Sequence, residues 1–294
     1  MAGRFGSVLT AMVTPFRDDF SLDLDGAQVL ANYLFETGTD TVVVAGSTGE
    51  APTLTNQEKA DLFRAVIEVA ADKGKVVAGT GTYDTTDSVE LTRLAQETGA
   101  DGALVVTPYY NRPPQRGLIE HFTKVAGSTD LPVILYNIPS RTATLIEPDT
   151  LLRLAQVDNI VAVKDSTGDF QTASRIIAEA PPGFELYSGD DWAAFPLVCM
   201  GASGVVSVAA HLAGREIKEM IETCRTGDLS GAWKIHSTLL PLFKGLFITS
   251  NPIPVKAALA IIGRPAGPPR LPLVPATPEE RASVEQAMRD AGVL

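Results

Sequence analysis

The 294-residue chain is poor in the residues that staple or metallate a fold, with two cysteines and three histidines. Cys199 and Cys224 cannot build a disulfide framework, and no spaced Cys/His cluster for zinc exists. Both are expected to be buried thiols, and no metal is expected. Basic charge is also in deficit: 24 Lys+Arg against 35 Asp+Glu leave a net charge of −11. That balance disfavours nucleic acid and anionic membranes as partners, although a few local donors can still hold a small anion. No G-x-G-x-x-G follows the first apolar run, so a dinucleotide-binding fold loses ground. The N-terminus "MAGRFGSVLTAMVTPFRDD" lacks a signal-peptide layout, and a cytoplasmic location is expected. One charge-free stretch, "WAAFPLVCMGASGVVSVAA" (192–210), is long enough to span a bilayer. Pro196, Gly201 and Gly204 interrupt it, and it reads better as a buried helix followed by a buried strand.

What the chain does have is repetition. Eight near-continuous apolar runs recur: "VLTAMV", "TVVVAG", "VVAGTG", "ALVVTP", "PVILYN", "IVAVKD", "ELYSGD" and "GVVSVA". Helical periodicity fills most of the gaps, as in residues 55–72, where Leu62, Phe63, Val66, Ile67 and Ala70 share a face behind a Thr55/Glu58 capping box. Apolar strands alternating with amphipathic helices imply a parallel sheet covered on both faces, and eight units suit a closed (β/α)8 barrel. The expected division is a catalytic barrel over 1–227 and a C-terminal helical appendage over 228–294. There a Pro-rich loop (263–276) precedes a last helix capped by Thr277, Pro278 and Glu280.

In a parallel barrel the chemistry gathers at the C-terminal ends of the strands. Those ends read "AGSTGE", "TPYYNRP", "LYNIPSRT", "VAVKDS" and "YSGD". Lys164 ends an otherwise apolar strand. Two readings stand: a structural ion pair with Asp165 or another rim carboxylate, or an imine-forming amine, since an apolar setting disfavours an ammonium and frees its lone pair. Tyr136, ending the preceding strand, is a candidate proton carrier for such an amine, with Tyr109 and Tyr110 on the exit loop of strand four. Gly46 and Gly49 bracket Ser47 and Thr48 in a turn that can aim N–H groups and hydroxyls at an anion. Without a Walker lysine, a carboxylate is a more natural guest than a nucleotide phosphate.

These motifs, with "AMVTPF", "GASGVVSV" and "PIPVKAAL", resemble the dihydrodipicolinate synthase family, pyruvate-dependent class I aldolases on a (β/α)8 barrel, along essentially the whole chain. The resemblance implies that Lys164 forms a Schiff base with pyruvate and that Tyr136 donates and accepts protons. Ser47 stands where the family more often has threonine, as the first hydroxyl of a proton relay. Tyr110 matches the relay tyrosine that reaches into a neighbouring subunit's site. Thr48 and the backbone near Val206 would hold the pyruvate carboxylate, and Gly189 would line the pocket. The implied reaction joins pyruvate to L-aspartate 4-semialdehyde, giving 4-hydroxy-tetrahydrodipicolinate without metal or organic cofactor, in a homotetramer built as a dimer of dimers.

Arg141 in "PSRT" can grip the semialdehyde's carboxylate in a fork, and the similar sialic acid lyases usually lack it. An aldolase acting on a 2-keto-3-deoxy sugar acid or sialic acid, or a keto-acid-binding barrel without turnover, remains the alternative. The stretch corresponding to the family's lysine-binding regulatory cleft offers Asn56, Lys59, Tyr83 and Asp87. A cationic Lys59 there would repel a cationic effector, so weak or absent feedback by lysine is expected.

Overall fold

The computed structural model describes residues 3–294. Eight short strands close into one parallel barrel in sequence order, β1 (Val8–Ala11), β2 (Thr41–Val44), β3 (Lys75–Gly79), β4 (Gly102–Val106), β5 (Val133–Asn137), β6 (Ile160–Asp165), β7 (Glu185–Ser188) and β8 (Gly204–Ser207). The ring shuts where β1 meets β8, with Leu9 beside Val206. Each strand falls within or against one of the eight apolar runs. Valines dominate them because β-branched side chains pack well on a pleated surface buried on both faces.

Helices wrap the barrel between strands. They are α1 (Leu24–Glu36), α2 (Asn56–Ala70), α3 (Thr85–Thr98), α4 (Gln115–Ala126), the short α5 (Pro139–Thr142) and α6 (Pro148–Leu154), α7 (Phe170–Glu179), α8 (Asp191–Met200) and α9 (Ala210–Arg225). The capping box at α2 is present, with Thr55 and Glu58 each satisfying the other's backbone N–H, a device worth about 1 kcal/mol. The charge-free stretch divides as expected, into α8 and the buried β8.

Three more helices follow, α10 (Leu229–Gly245), α11 (Ile253–Ile261) and α12 (Pro278–Asp290), the last with its Thr277/Glu280 capping box. Their apolar faces join one continuous cluster with the barrel: Leu239, Leu242, Leu259 and Met288 pack with Leu30, Val42 and Val76. One expectation fails on the outer layer. Cys224 is buried, but Cys199 is exposed, because the last turn of α8 runs out to the surface. No helix among the described residues is long and apolar enough to cross a membrane.

Successive strand residues face alternately into the barrel and out toward the helices. The interior cluster contains Leu9, Val43, Val77, Leu104, Ile134, Tyr136, Ala162, Tyr187 and Val206. Residues two further along point the same way, so Ala162 in the interior places Lys164 there as well. Val163 belongs to the outer layer beneath the helices, and Asp165 follows it outward.

Candidate active site

That alternation brings the two central groups together. Tyr136 on β5 and Lys164 on β6 are register partners, with Tyr187 of β7 next in the same row. Lys164 Nζ sits 4.0 Å from the centroid of the Tyr136 ring, and each residue is only 5% exposed. No carboxylate among the described residues lies within 4.0 Å of Lys164 Nζ. The ion pair with Asp165 is excluded by the pleat itself, since neighbouring residues on a strand point to opposite faces. Asp165 instead accepts from Thr167 Oγ1 at 3.0 Å, and burial pushes its carboxyl up to about 6.

Two further acids lie beside Lys164. Burial raises Asp190, while the charges of Lys164 and Arg141 draw it back down, which places this carboxyl in the field of both cations. Asp191 is wholly enclosed and raised by that burial. Its carboxylate accepts from Ser207 Oγ and from the N–H groups of Val208 and Ala209 at 3.1 and 3.0 Å. It thus pins the start of α8 to the end of β8.

Above the barrel opens a cavity of about 520 Å³ whose walls include Ser47, Tyr109, Tyr136, Arg141 and Asn251. Lys164, Thr48, Gly189 and Val206 are not part of those walls. Lys164 lies behind the Tyr136 ring, and Val206 is enclosed in the barrel interior. Gly189 follows β7 with its N–H donating to Asp165 O at 2.7 Å. A Cβ there would fall 1.9 Å from Ser166 Oγ, so a larger residue would require that hydroxyl to turn away.

Ser47 and Thr48 sit in the loop after β2, which bends through left-handed conformations at Ala45 and Glu50, φ 52° and 56°. Non-glycine residues in that region cost of order 1 kcal/mol each and need surroundings that hold them. The restraint is a buried ion pair, Lys256 Nζ to Glu50 Oε1 at 2.6 Å, with side chains 2% and 1% exposed. Arg270 completes the clamp: its N–H donates to Glu50 Oε2 at 2.8 Å, and its guanidinium grips Glu58 at 2.6 Å and Thr53 O at 2.8 Å. Both cations also lie over the Phe16 ring.

Asn251 connects the two poles of the cavity. Its Nδ2 donates to Thr48 Oγ1 at 2.9 Å, and its backbone carbonyl accepts from Arg141 at 3.4 Å. Because Thr48 Oγ1 accepts from Asn251, its own proton is free for an anion. Asn251, Lys256 and Arg270 escape a sequence reading confined to strand ends, and Glu50, the last residue of "AGSTGE", carries no sign there of its distant partners. The only signal for Lys256 is its place in an otherwise apolar "PIPVKAAL".

Tyr110 stands apart. It is 93% exposed with φ 73° and projects from the loop after β4, while Tyr109 turns inward to meet Tyr83 edge-on at 5.4 Å. The cavity also extends over Asn56, Lys59, Tyr83 and Asp87, where burial lowers Lys59 and the Asp87 charge opposes that shift. Among the described residues no group of three or more His, Cys, Asp or Glu is placed to hold a metal.

The model of the dihydrodipicolinate synthetase family matches residues 4–291. A protein of Moorella thermoacetica named 4-hydroxy-tetrahydrodipicolinate synthase is 52% identical over 291 residues, covering 99% of this chain and all of that one. The protein of the same name from Acidothermus cellulolyticus is 51% identical over 288 residues, 98% of this chain and 93% of its own length. Among solved structures, the DHDPS from Cyanidioschyzon merolae with lysine bound superposes with a TM-score of 0.98 at 44% identity, covering 99% and 100% of the two chains. The chloride-inhibited dihydrodipicolinate synthase from Acinetobacter baumannii complexed with pyruvate gives 0.96 at 38% identity, with 99% and 100% covered.

Proposed function

Since this chain belongs to the dihydrodipicolinate synthetase family, we propose that it condenses pyruvate with L-aspartate 4-semialdehyde through a Schiff base on Lys164, in the route to diaminopimelate and lysine. The observation that carries this reading is Lys164 itself, a buried amine facing the barrel interior over Tyr136 with no carboxylate to pair with. A charge there meets only the Tyr136 ring and the field of Asp190 and Asp191, and no direct ion pair explains the position. An amine that spends its working life as an imine has a use for it.

Pyruvate's carboxylate is received by the free Thr48 hydroxyl and the backbone beside Val206, with Gly189 close by at the end of β7. Lys164 Nζ attacks the ketone carbon, and Tyr136 protonates the departing hydroxyl. The iminium then loses a methyl proton, and the enamine carbon attacks the semialdehyde's aldehyde. Arg141, at the cavity wall with its guanidinium anchored on the Asn251 carbonyl, receives the semialdehyde's carboxylate. Attack of the substrate's amine on the imine carbon releases Lys164 and closes the ring. None of these steps calls on a metal or an organic cofactor.

Ser47 and Tyr110 complete the proposed proton relay. An exposed tyrosine held in a left-handed turn serves no packing purpose in its own chain, which supports a role in a neighbour's site within a homotetramer, a dimer of dimers. A cytoplasmic location is part of the same proposal. The test is to incubate the protein with pyruvate, reduce with borohydride and map the adduct. Mass added to Lys164, together with condensation activity on the semialdehyde, supports the proposal. An unmodified Lys164 refutes it.

A further inference from the structure

Away from the cavity, the only two cysteines of the chain face each other. Cys199 lies in the last turn of α8 and Cys224 in the last turn of α9, with their Sγ atoms 3.3 Å apart. Cys199 is exposed and Cys224 is buried. Burial, and then Cys199 beside it, push the Cys224 thiol up to about 11. At neutral pH Cys224 therefore keeps its proton, and Cys199 is the sulfur that solvent reaches.

The opposite end of this helix pair is already tied, by the Asp191 carboxylate on the Val208 and Ala209 amides. The sulfurs need to approach by only about 1.2 Å to reach a disulfide bond length.

We propose that Cys199 and Cys224 form a peroxide-reactive site that closes into a reversible disulfide between α8 and α9. The Cys199 thiolate attacks one oxygen of hydrogen peroxide. The O–O bond breaks, leaving a sulfenic acid on Cys199 and a hydroxide that is protonated to water. Cys224 gives up its proton and attacks Cys199 Sγ, the S–O bond breaks, and the departing hydroxide takes up that proton as the second water. The two thiols lose two electrons and the peroxide gains them. An external thiol reverses the change by attacking the disulfide. The buried partner thereby captures a sulfenic acid that would otherwise be open to irreversible oxidation.

The full chain, reduced and freed of thiol, is treated with a slight excess of hydrogen peroxide and mapped by mass spectrometry without reduction, beside C199S and C224S. The expected product is a Cys199–Cys224 linked peptide pair within one chain. The thermal midpoint should rise by roughly 5 °C and fall back with dithiothreitol. In C224S the reaction should stop at a sulfenic acid on Cys199 that dimedone captures. Equal dimedone capture in the wild type, chains joined to each other through Cys199, or a midpoint unmoved by oxidation each overturns the proposal.

Discussion

Replacing Tyr136 by phenylalanine separates the two things that this residue does. The ring carries the contact with Lys164 Nζ at 4.0 Å, and phenylalanine keeps it. The hydroxyl makes no hydrogen bond to any described residue and belongs to a side chain on the cavity wall. Its loss should therefore cost less than about 1 kcal/mol of stability and shift the unfolding midpoint by no more than about 3 °C. Catalysis should respond differently. A positioned general acid or base contributes roughly 10²- to 10⁴-fold, equivalent to about 3 to 5 kcal/mol of barrier. Tyr136→Phe is thus expected to lose two to four decades in kcat for condensation while still yielding a borohydride-trapped pyruvate adduct on Lys164, more slowly formed. Steady-state kinetics, timed trapping and a thermal melt read the three quantities on one preparation. Condensation within threefold of wild type would refute Tyr136 as the proton carrier. Tyr136→Ala supplies the contrast, because it also removes the ring and should cost about 3 to 5 kcal/mol of stability.

Arg141→Ala is expected to raise the KM for the semialdehyde by at least tenfold while pyruvate trapping continues at the wild-type rate, and loss of trapping would sink its assignment to the second substrate. Lys256→Met leaves Glu50 buried and unpaired, so urea denaturation should register a loss of about 3 to 5 kcal/mol, partly restored by adding Glu50→Gln; an unchanged midpoint refutes the clamp. Asp165, held up at about 6 by burial, keeps a proton in the folded chain that the unfolded chain releases from about pH 4 upward. Its contribution to stability is therefore present below the ordinary carboxylate range and is lost as pH climbs through 6. Asp165→Asn should gain on the wild type between pH 4 and pH 7 in urea titrations, and a constant difference at both pH values contradicts the assignment. L-Lysine is expected to inhibit weakly, and Lys59→Gln should lower the inhibiting concentration about tenfold, matching about 1.4 kcal/mol of like-charge repulsion; no change between the two proteins rejects that reading.

The barrel and its central pair are legible in the chain because both follow from local pattern: near-continuous apolar runs mark strands buried on both faces, and the pleat decides which residues of a strand share a face. Eight apolar runs mark the strands, and the neighbours Lys164 and Asp165 must face opposite ways, although which of them faces inward is fixed by the place of Ala162 in the barrel interior. The same local rule is silent about Asn251 and Lys256, whose partners Thr48 and Glu50 lie some 200 positions away. Nothing periodic ties the C-terminal segment to the loop after β2. Cys199 illustrates another limit. Its neighbours in "WAAFPLVCM" are apolar enough to suggest enclosure, yet the helix end projects from the outer layer, and a thiol there is wet. Tyr109 and Tyr110 are adjacent and chemically identical, and only the backbone turn at Tyr110 sends one inward and the other out.

The clamp on the loop after β2 also has a meaning during synthesis. Glu50 leaves the ribosome long before its partner, and the Arg270 amide that completes its hydrogen bonding comes 220 residues later. At ordinary elongation rates that is a delay of roughly 10 to 45 s. Throughout that interval the Ser47–Thr48 loop lacks the cations that hold its left-handed turn. A nascent chain or a fragment that ends before α11 therefore carries Lys164 and Tyr136 on finished strands beside a loop that has not yet gained its restraint.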